Sequence, residues 1–304
     1  MSEDKMITVE APAKINLYLH VVGRRSNGYH ELESLIAFTD EFDTLTFEPS
    51  DGLTLEISGT FAPRLPESED NLVLRAARAL GEAAGINPLA RIRLQKELPV
   101  AAGLGSGSAD AAAALRGLAM LWGLRESEVD LKEVGFRLGT DIPACLVSDT
   151  VHVSGVGEQL APGPALPNAG IVLVNPGITL ATPSVFKARK GGFSPEAPMI
   201  EPPASLGAFV RELEDRSNDL TEPALRLAPV IREVLSALEA APGCRLARLS
   251  GSGATCFGLF DDPAAAEAAA ATIDVEGWWV RPTKFRASGG LRRANAFALS
   301  FAST

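Results

Sequence analysis

Apolar and polar residues alternate through the first third of the chain. Ile7 to Val9, Ile15 to Val21, Thr44 to Phe47 and Leu53 to Ile57 carry β-branched or aromatic residues at period two, which predicts strands. Ser26-Asn27-Gly28 lies between strand signals, and Asn-Gly tolerates the positive φ of a tight turn. From Asp70 the spacing changes. Leu72, Leu74, Ala76, Ala79, Leu80 and Ala83 suit a helix, with Asp70 as its N-cap and Gly85 as its stop. Ala90 to Leu94 returns to strand. Pro99 to Ser108 is a loop that opens onto an alanine-rich helix from Ala109 to Met120, and a second helix is expected over 126–138. Val151 to Val153 reads as a strand, and 161–167 as a linker rich in breakers. Then come a strand (171–174), a short helix (183–187) and a Pro-rich surface segment (194–203). Helices over 206–213 and 230–240 follow, then strands over 245–249 and 255–260 around a glycine turn. An alanine-rich helix (263–272) and a strand at Trp278-Trp279-Val280 complete the pattern. Mixed elements without strict alternation point to an α+β chain in two lobes, 1–160 and 168–287, followed by a tail over 288–304.

A chain of 304 residues with 46% hydrophobic and 22% charged residues can build a sizeable core, which excludes wholesale disorder. The net charge of -10 argues against a nucleic-acid partner, which would require a dominant basic face. Cys145, Cys244 and Cys256 are far apart in sequence, so neither a disulfide framework nor a zinc ribbon is expected, and a reducing compartment fits. The acidic start, Met1 to Lys5, does not read as a secretory signal, and no apolar run suffices to span a bilayer. The expected setting is the cytoplasm. No His/Cys/Asp/Glu spacing suggests a protein-held metal.

The strongest chemical signal runs from Pro99 to Ala109. Glycines at 103, 105 and 107 expose backbone N–H groups, and the helix behind them adds the positive end of its dipole. Together these make a phosphate cradle, although a bare Gly-Leu-Gly could equally be a turn capped by Ser106 or Ser108. A Walker loop is excluded because no Gly-Lys-Ser/Thr follows, and the Rossmann fingerprint lacks its third glycine, since Ser108 stands there.

Pro99-x-x-x-Gly103-Leu104-Gly105-Ser106-Gly107-Ser108-Ala109 resembles the phosphate loop of the GHMP small-molecule kinases, which include galactokinase, homoserine kinase and mevalonate kinase. Ala11 to Leu17 resembles their N-terminal motif, and Leu249-Ser250-Gly251-Ser252-Gly253-Ala254-Thr255 their C-terminal glycine motif. The loop departs from the family's glycines at Ala101, Ala102, Ser106 and Ala109. The resemblance implies a ribosomal-protein-S5-domain-2-like N-terminal lobe and a ferredoxin-like C-terminal lobe. It implies ATP as phosphoryl donor, with Mg2+ carried by the nucleotide. Pro99, Val100, Ala101, Ala102, Gly103, Leu104, Gly105, Ser106, Gly107, Ser108 and Ala109 would hold the phosphates, and Asn71, Leu72 and Lys96 the adenosine. Gly28-Tyr29-His30-Glu31-Leu32 and Leu138 to Pro143 resemble the branch whose substrate is a cytidine-diphosphate sugar alcohol. In that branch Tyr29, His30 and Phe186 would hold the base, with Phe186 as the face opposite Tyr29, while Asn16 and Thr182 would line the substrate.

The same resemblance places Lys14 and Asp141 at the catalytic positions. A carboxylate near the accepting hydroxyl can orient it and take its proton, and a lysine offsets developing charge. Without the resemblance, Asp141 ahead of Ile142-Pro143 reads as a helix cap, Lys14 and Lys96 as surface lysines, and Asn71 as a helix start. Two other readings stay open at this point: a family kinase for a different alcohol, such as homoserine or mevalonate, and a catalytically silent ligand sensor of the same fold.

Overall fold

The computed structural model describes residues 6–65, 70–125 and 127–287. Glu126, where the second helix was expected to begin, and the tail over 288–304 lie outside the described residues.

The separate strand signals at the start fuse into one long hairpin. β1 (Ile7–Arg24) and β2 (His30–Glu48) pair antiparallel, joined by a turn in which Gly28 takes φ +91. Register shifts at Pro12/Lys14, Asn16/Tyr18 and Val21/Gly23 break the ladder and re-aim the side chains beside them. β3 (Leu53–Ser58) runs parallel to β4 (Ala90–Gln95), with α1 (Leu72–Ala84) as the crossover between them. Helices α2 (Ser106–Trp122), α3 (Leu131–Leu138) and α4 (Ile142–Val147) follow, then β5 (Val151–Gly155) and β6 (Gln159–Pro162). The free edge of β2 pairs with β4 at one end and β5 at the other, giving a six-stranded sheet.

The remaining elements are β7 (Gly170–Asn175), α5 (Thr182–Ala188), α6 (Leu206–Glu214), α7 (Thr221–Leu227), α8 (Val230–Ala240), β8 (Leu246–Leu249), β9 (Cys256–Phe260), α9 (Pro263–Ala270) and β10 (Trp279–Lys284). Their four strands form an antiparallel sheet in the order β10-β7-β9-β8.

Three expectations from the pattern are corrected. The cap of α1 is Asn71, whose side chain accepts the Val73 N–H, and Asp70 is not. α3 starts only at Leu131, because Asp130 caps it through the N–H groups of Lys132 and Glu133. Ala161 and Pro162 belong to β6, paired with His152 and Val151, so the breaker-rich stretch still has ladder partners at its start.

Each sheet carries its own core, and a third cluster lies between them. Ala13, Ile15, Leu17, Leu35 and Ala37 from the hairpin meet Ile171, Leu173, Phe257 and Leu259 from the second sheet. This is why β1 is buried at every position from Ala11 to Val21, polar residues included, and loses the alternation of a one-sided strand. α2 is also enclosed. Its alanines, Ala109 and Ala111 to Ala114, let it approach the sheet closely, and a Cβ at Gly117 would overlap the Phe47 ring. No helix among the described residues is long and apolar enough to cross a membrane.

Candidate active site

The glycine-rich loop spans the gap between the end of β4 and the start of α2. Gly103 and Gly105 take φ +79 and +60, and Ala101 is held at φ +51. Gly105 occupies the N-cap position of α2 in the left-handed region, so neither Ser106 nor Ser108 caps the helix. Instead, Ser106 Oγ donates to Pro99 O at 2.8 Å and ties the loop closed. Ser108 is half-buried on the first turn. A Cβ at Gly107 would meet nothing within 4 Å, so this side of the turn is open. The first N–H groups of a helix have no intrahelical acceptor, and with the dipole behind them they favour an anion.

The C-terminal glycine motif braces this loop from behind. Ser250 Oγ donates to Gly103 O at 2.9 Å, and Thr255 N to Ala102 O at 2.9 Å. A Cβ at Gly103 would overlap Ser250 O, so this glycine is fixed by close backbone approach as well as by its φ. Sequence alone did not reveal that two motifs far apart in the chain form one interlocked unit.

Lys14 lies beside that unit. Its N–H donates to Leu104 O at 3.0 Å, and its side chain runs under Gly105, where a Cβ would come within 2.7 Å of Lys14 Cγ and Cε. Lys14 Nζ donates to Asn16 Oδ1 at 2.9 Å and lies 3.3 Å from Asp141 Oδ2. The lysine side chain is 7% exposed, whereas that of Asp141 is 44% exposed. Asp141 does stand at the N-cap position of α4, but with φ -82 and ψ -17, and its side chain makes no capping bond. A capping side chain needs the extended backbone that lets it fold back over the first turn. This carboxylate is therefore directed to Lys14 and left partly exposed to solvent. Arg116, buried within α2, holds the far end of α4 by donating to Cys145 O at 3.1 Å and Leu146 O at 3.3 Å.

Asn16 is 3% exposed. Its Oδ1 receives Lys14 and its Nδ2 donates to Ser34 Oγ at 2.8 Å, so it orients the lysine. Thr182, the first residue of α5, exchanges a hydrogen bond with Ser252 Oγ at 2.8 Å.

At the hairpin tip Tyr29 is 63% exposed. The ring facing Phe186 is that of His30, with centroids 5.1 Å apart and an interplanar angle of 24°. At that spacing the His30 and Phe186 rings touch each other directly, with Tyr29 standing beside them at the exposed tip. His30 opens β2 and points to α5, whereas Tyr29 is still part of the turn. Burial, with Arg24 and Arg189 nearby, holds the His30 imidazole below its usual pKa and therefore neutral near pH 7.

Of the residues expected at the adenosine, Lys96 lies deepest. Lys96 is fully buried and is no surface lysine; its Nζ lies 2.6 Å from Asp43 Oδ2 and 2.5 Å from Asp110 Oδ2. Its ammonium is enclosed between these two carboxylates. Asp43 Oδ1 also accepts the N–H groups of Glu97 at 2.6 Å and Leu98 at 2.8 Å, immediately before the phosphate loop. Two carboxylates around one ammonium leave an excess negative charge, and burial pushes Asp110 up to about 7. An acid in an alanine-rich buried helix was the sequence signal for Asp110; Asp43 gave none. Asn71 Oδ1 is engaged as the α1 cap, and Leu72 packs onto the first core.

The family profile described as GHMP kinases N terminal domain matches residues 71–149, and that described as GHMP kinases C terminal matches 203–275. The chain belongs to the GHMP kinase family, and it is an ATP-dependent kinase. Within the family, it is 50% identical over 279 residues to the 4-diphosphocytidyl-2-C-methyl-D-erythritol kinase of Paramagnetospirillum magneticum, covering 91% of this chain and 98% of that one. With the kinase of the same name from Rhodospirillum rubrum the identity is 52% over 271 residues, covering 88% and 89%. A crystal structure of 4-(cytidine 5'-diphospho)-2C-methyl-D-erythritol kinase superimposes with TM-score 0.76 at 36% identity, over 92% of this chain and 100% of that one. Homoserine kinase from Cytophaga hutchinsonii shares the fold at TM-score 0.68 and 19% identity, over 94% and 96%.

Proposed function

We propose that the protein transfers the γ-phosphoryl group of ATP to the 2-hydroxyl of 4-diphosphocytidyl-2-C-methyl-D-erythritol, giving the 2-phosphate and ADP. This is a step of the non-mevalonate route to isoprenoid precursors. The observation that carries the reading is the uncapped Asp141 carboxylate, 3.3 Å from Lys14 Nζ and next to the phosphate loop.

The chemistry follows from what each group can do. The N–H groups at the start of α2 take the nucleotide phosphates, with the interlocked glycine turn holding them in place. Mg2+ comes as part of the nucleotide substrate. Among the described residues no group of three or more His, Cys, Asp or Glu is placed to hold a metal ion. The accepting hydroxyl donates a hydrogen bond to Asp141, which lines it up with phosphorus and takes its proton as the new bond forms. Lys14, fixed by Asn16, offsets charge on the oxygens in flight. Tyr29 and the neutral edge of His30 meet the cytosine, stacking and hydrogen bonding being what a base can offer.

Tyr29 and His30 also separate this reading from a kinase for homoserine or mevalonate, which have no base to receive. An ADP-release assay with the cytidylyl substrate, homoserine and mevalonate tests the proposal. Turnover is expected with the first alone. Turnover with another alcohol in its place would reassign the substrate. The free cysteines Cys145, Cys244 and Cys256 support a reducing, cytoplasmic setting.

A further inference from the structure

The turn between β5 and β6 touches both ends of the proposed substrate path. At one end, Arg25 Nη2 donates to Glu158 Oε1 at 2.6 Å and Arg25 Nε to Glu31 Oε1 at 3.2 Å. Arg25 N also donates to Tyr29 O at 2.8 Å, so a single residue braces the backbone of the tip that presents Tyr29 and His30. The turn is folded around the carboxylate that Arg25 grips. Glu158 Oε2 accepts the Val156 N–H at 2.5 Å, and a Cβ at Gly155 (φ +68) would overlap that carboxylate. At the other end, Gly157 (φ +110) lies against Thr140, where an added Cβ would come within 3.1 Å of Thr140 Cβ. Thr140 directly precedes Asp141. A chain of contacts thus runs from the base-reading tip through Arg25, Glu158 and Gly157 to the backbone that carries the carboxylate.

An ion pair whose partners are 35% and 27% exposed contributes little to stability. Its geometric consequence is larger: it ties the tip to a turn that lies against Thr140, the residue directly before Asp141. We propose that the 155–158 turn is a positioning element, with Arg25 and Glu158 as positioning residues, that couples capture of the cytosine end of the substrate to the placement of Asp141. The proposal rests on the function argued above. It makes the cytidylyl group more than a handle. Binding energy from this remote part is used to orient the reacting hydroxyl and its base, so an alcohol lacking that group is phosphorylated slowly even at saturation.

Steady-state kinetics on the full chain test this with Glu158→Gln, Arg25→Ala and, as reference, Tyr29→Ala. The Glu158 and Arg25 variants are each expected to lower kcat about tenfold and to raise KM for the cytidylyl substrate about tenfold, since small misplacements near a reacting centre cost rate steeply. KM for ATP and the melting temperature should stay at the parent values. A rise in KM with kcat unmoved would reduce the pair to a brace of the hairpin and overturn the coupling, as would no change in either parameter. Arg25→Lys keeps a cation opposite Glu158 and should recover most of kcat; a loss as deep as that of Arg25→Ala overturns the proposal even if the alanine variant folds poorly. If Tyr29→Ala leaves KM for the cytidylyl substrate unmoved, the base site itself is misassigned, a separate failure that this control identifies.

Discussion

Asp141 shows how much a single pair of backbone angles can decide. The residue stands where a cap would stand, yet φ -82 and ψ -17 keep its carboxylate off the helix and paired with Lys14. Asp141→Asn should therefore leave the melting temperature close to the parent's. It should lower kcat by about 10²- to 10⁴-fold, the usual worth of a general base, with much smaller changes in either KM. Parent-rate turnover by a folded Asp141→Asn enzyme would remove the carboxylate from the chemistry. His30 gives a pH signature. Its pKa is depressed, so the neutral ring persists through pH 7 and takes a proton only below its ordinary range. The sign follows: folding disfavours the protonated ring, so the favourable contribution is complete above the ordinary value and declines as pH falls through the lowered one. KM for the cytidylyl substrate should stay flat from pH 8 to about 6.5 and rise below that, and His30→Gln should abolish the rise. A rise already present between pH 8 and 7 would contradict the neutral-edge role.

At the scale of elements, the glycine-rich loop is held on three sides: by Ser106 from within, by Ser250 and Thr255 from the opposite lobe, and by the Lys14 stem beneath. Gly105 is a poor probe of phosphate binding, because any side chain there strikes Lys14. Gly107 is the better probe. It is helical, a Cβ meets nothing, and the new methyl would project from the first turn of α2. Gly107→Ala should fold as well as the parent or slightly better, since alanine is favoured in helices by up to about 1 kcal/mol. It should raise KM for ATP while leaving KM for the second substrate unchanged. An unchanged ATP affinity in that variant would move the phosphates elsewhere.

The elements legible in sequence were those with strong local signals. Gly85 ends α1, Asn27-Gly28 turns the hairpin, and Val230–Ala240 is helical where its periodicity says so. Illegible were features that depend on contacts distant in sequence. The fusion of the early strands into β1 and β2 could not be seen, because it rests on pairing between residues as far apart in sequence as Ile7 and Phe47. Lys96 looked like a surface lysine because nothing local announces that Asp43 and Asp110 will enclose it. The motifs of Lys14, Asp141 and the loop were readable; the Arg25–Glu158 bridge, spanning 133 positions, was not.

On the scale of the whole molecule, the Lys96 cluster joins the strand that leads into the phosphate loop to the helix that leads out of it. Its pairs are enclosed, so removing one partner is severe even though such clusters add little net stability over an apolar core. Lys96→Met would leave Asp43 and Asp110 facing each other without a cation, and should cost about 3–5 kcal/mol in denaturant unfolding. A loss below about 1 kcal/mol, the range of an exposed pair, would show that the site is wetter than its geometry implies.

The apolar seam between the two sheets bears on how such kinases can be recombined. A chimera that joined the first half of one relative to the second half of another at the 163–169 segment would keep every backbone element intact. Yet it would pair Ala13, Ile15, Leu17, Leu35 and Ala37 with foreign counterparts of Ile171, Leu173, Phe257 and Leu259. Close-packed interiors tolerate such mismatches poorly. Here a mismatch would also shift Ser250 and Thr255 against the loop they brace. Halves from different enzymes should therefore yield active hybrids only when the seam residues are transplanted as a set.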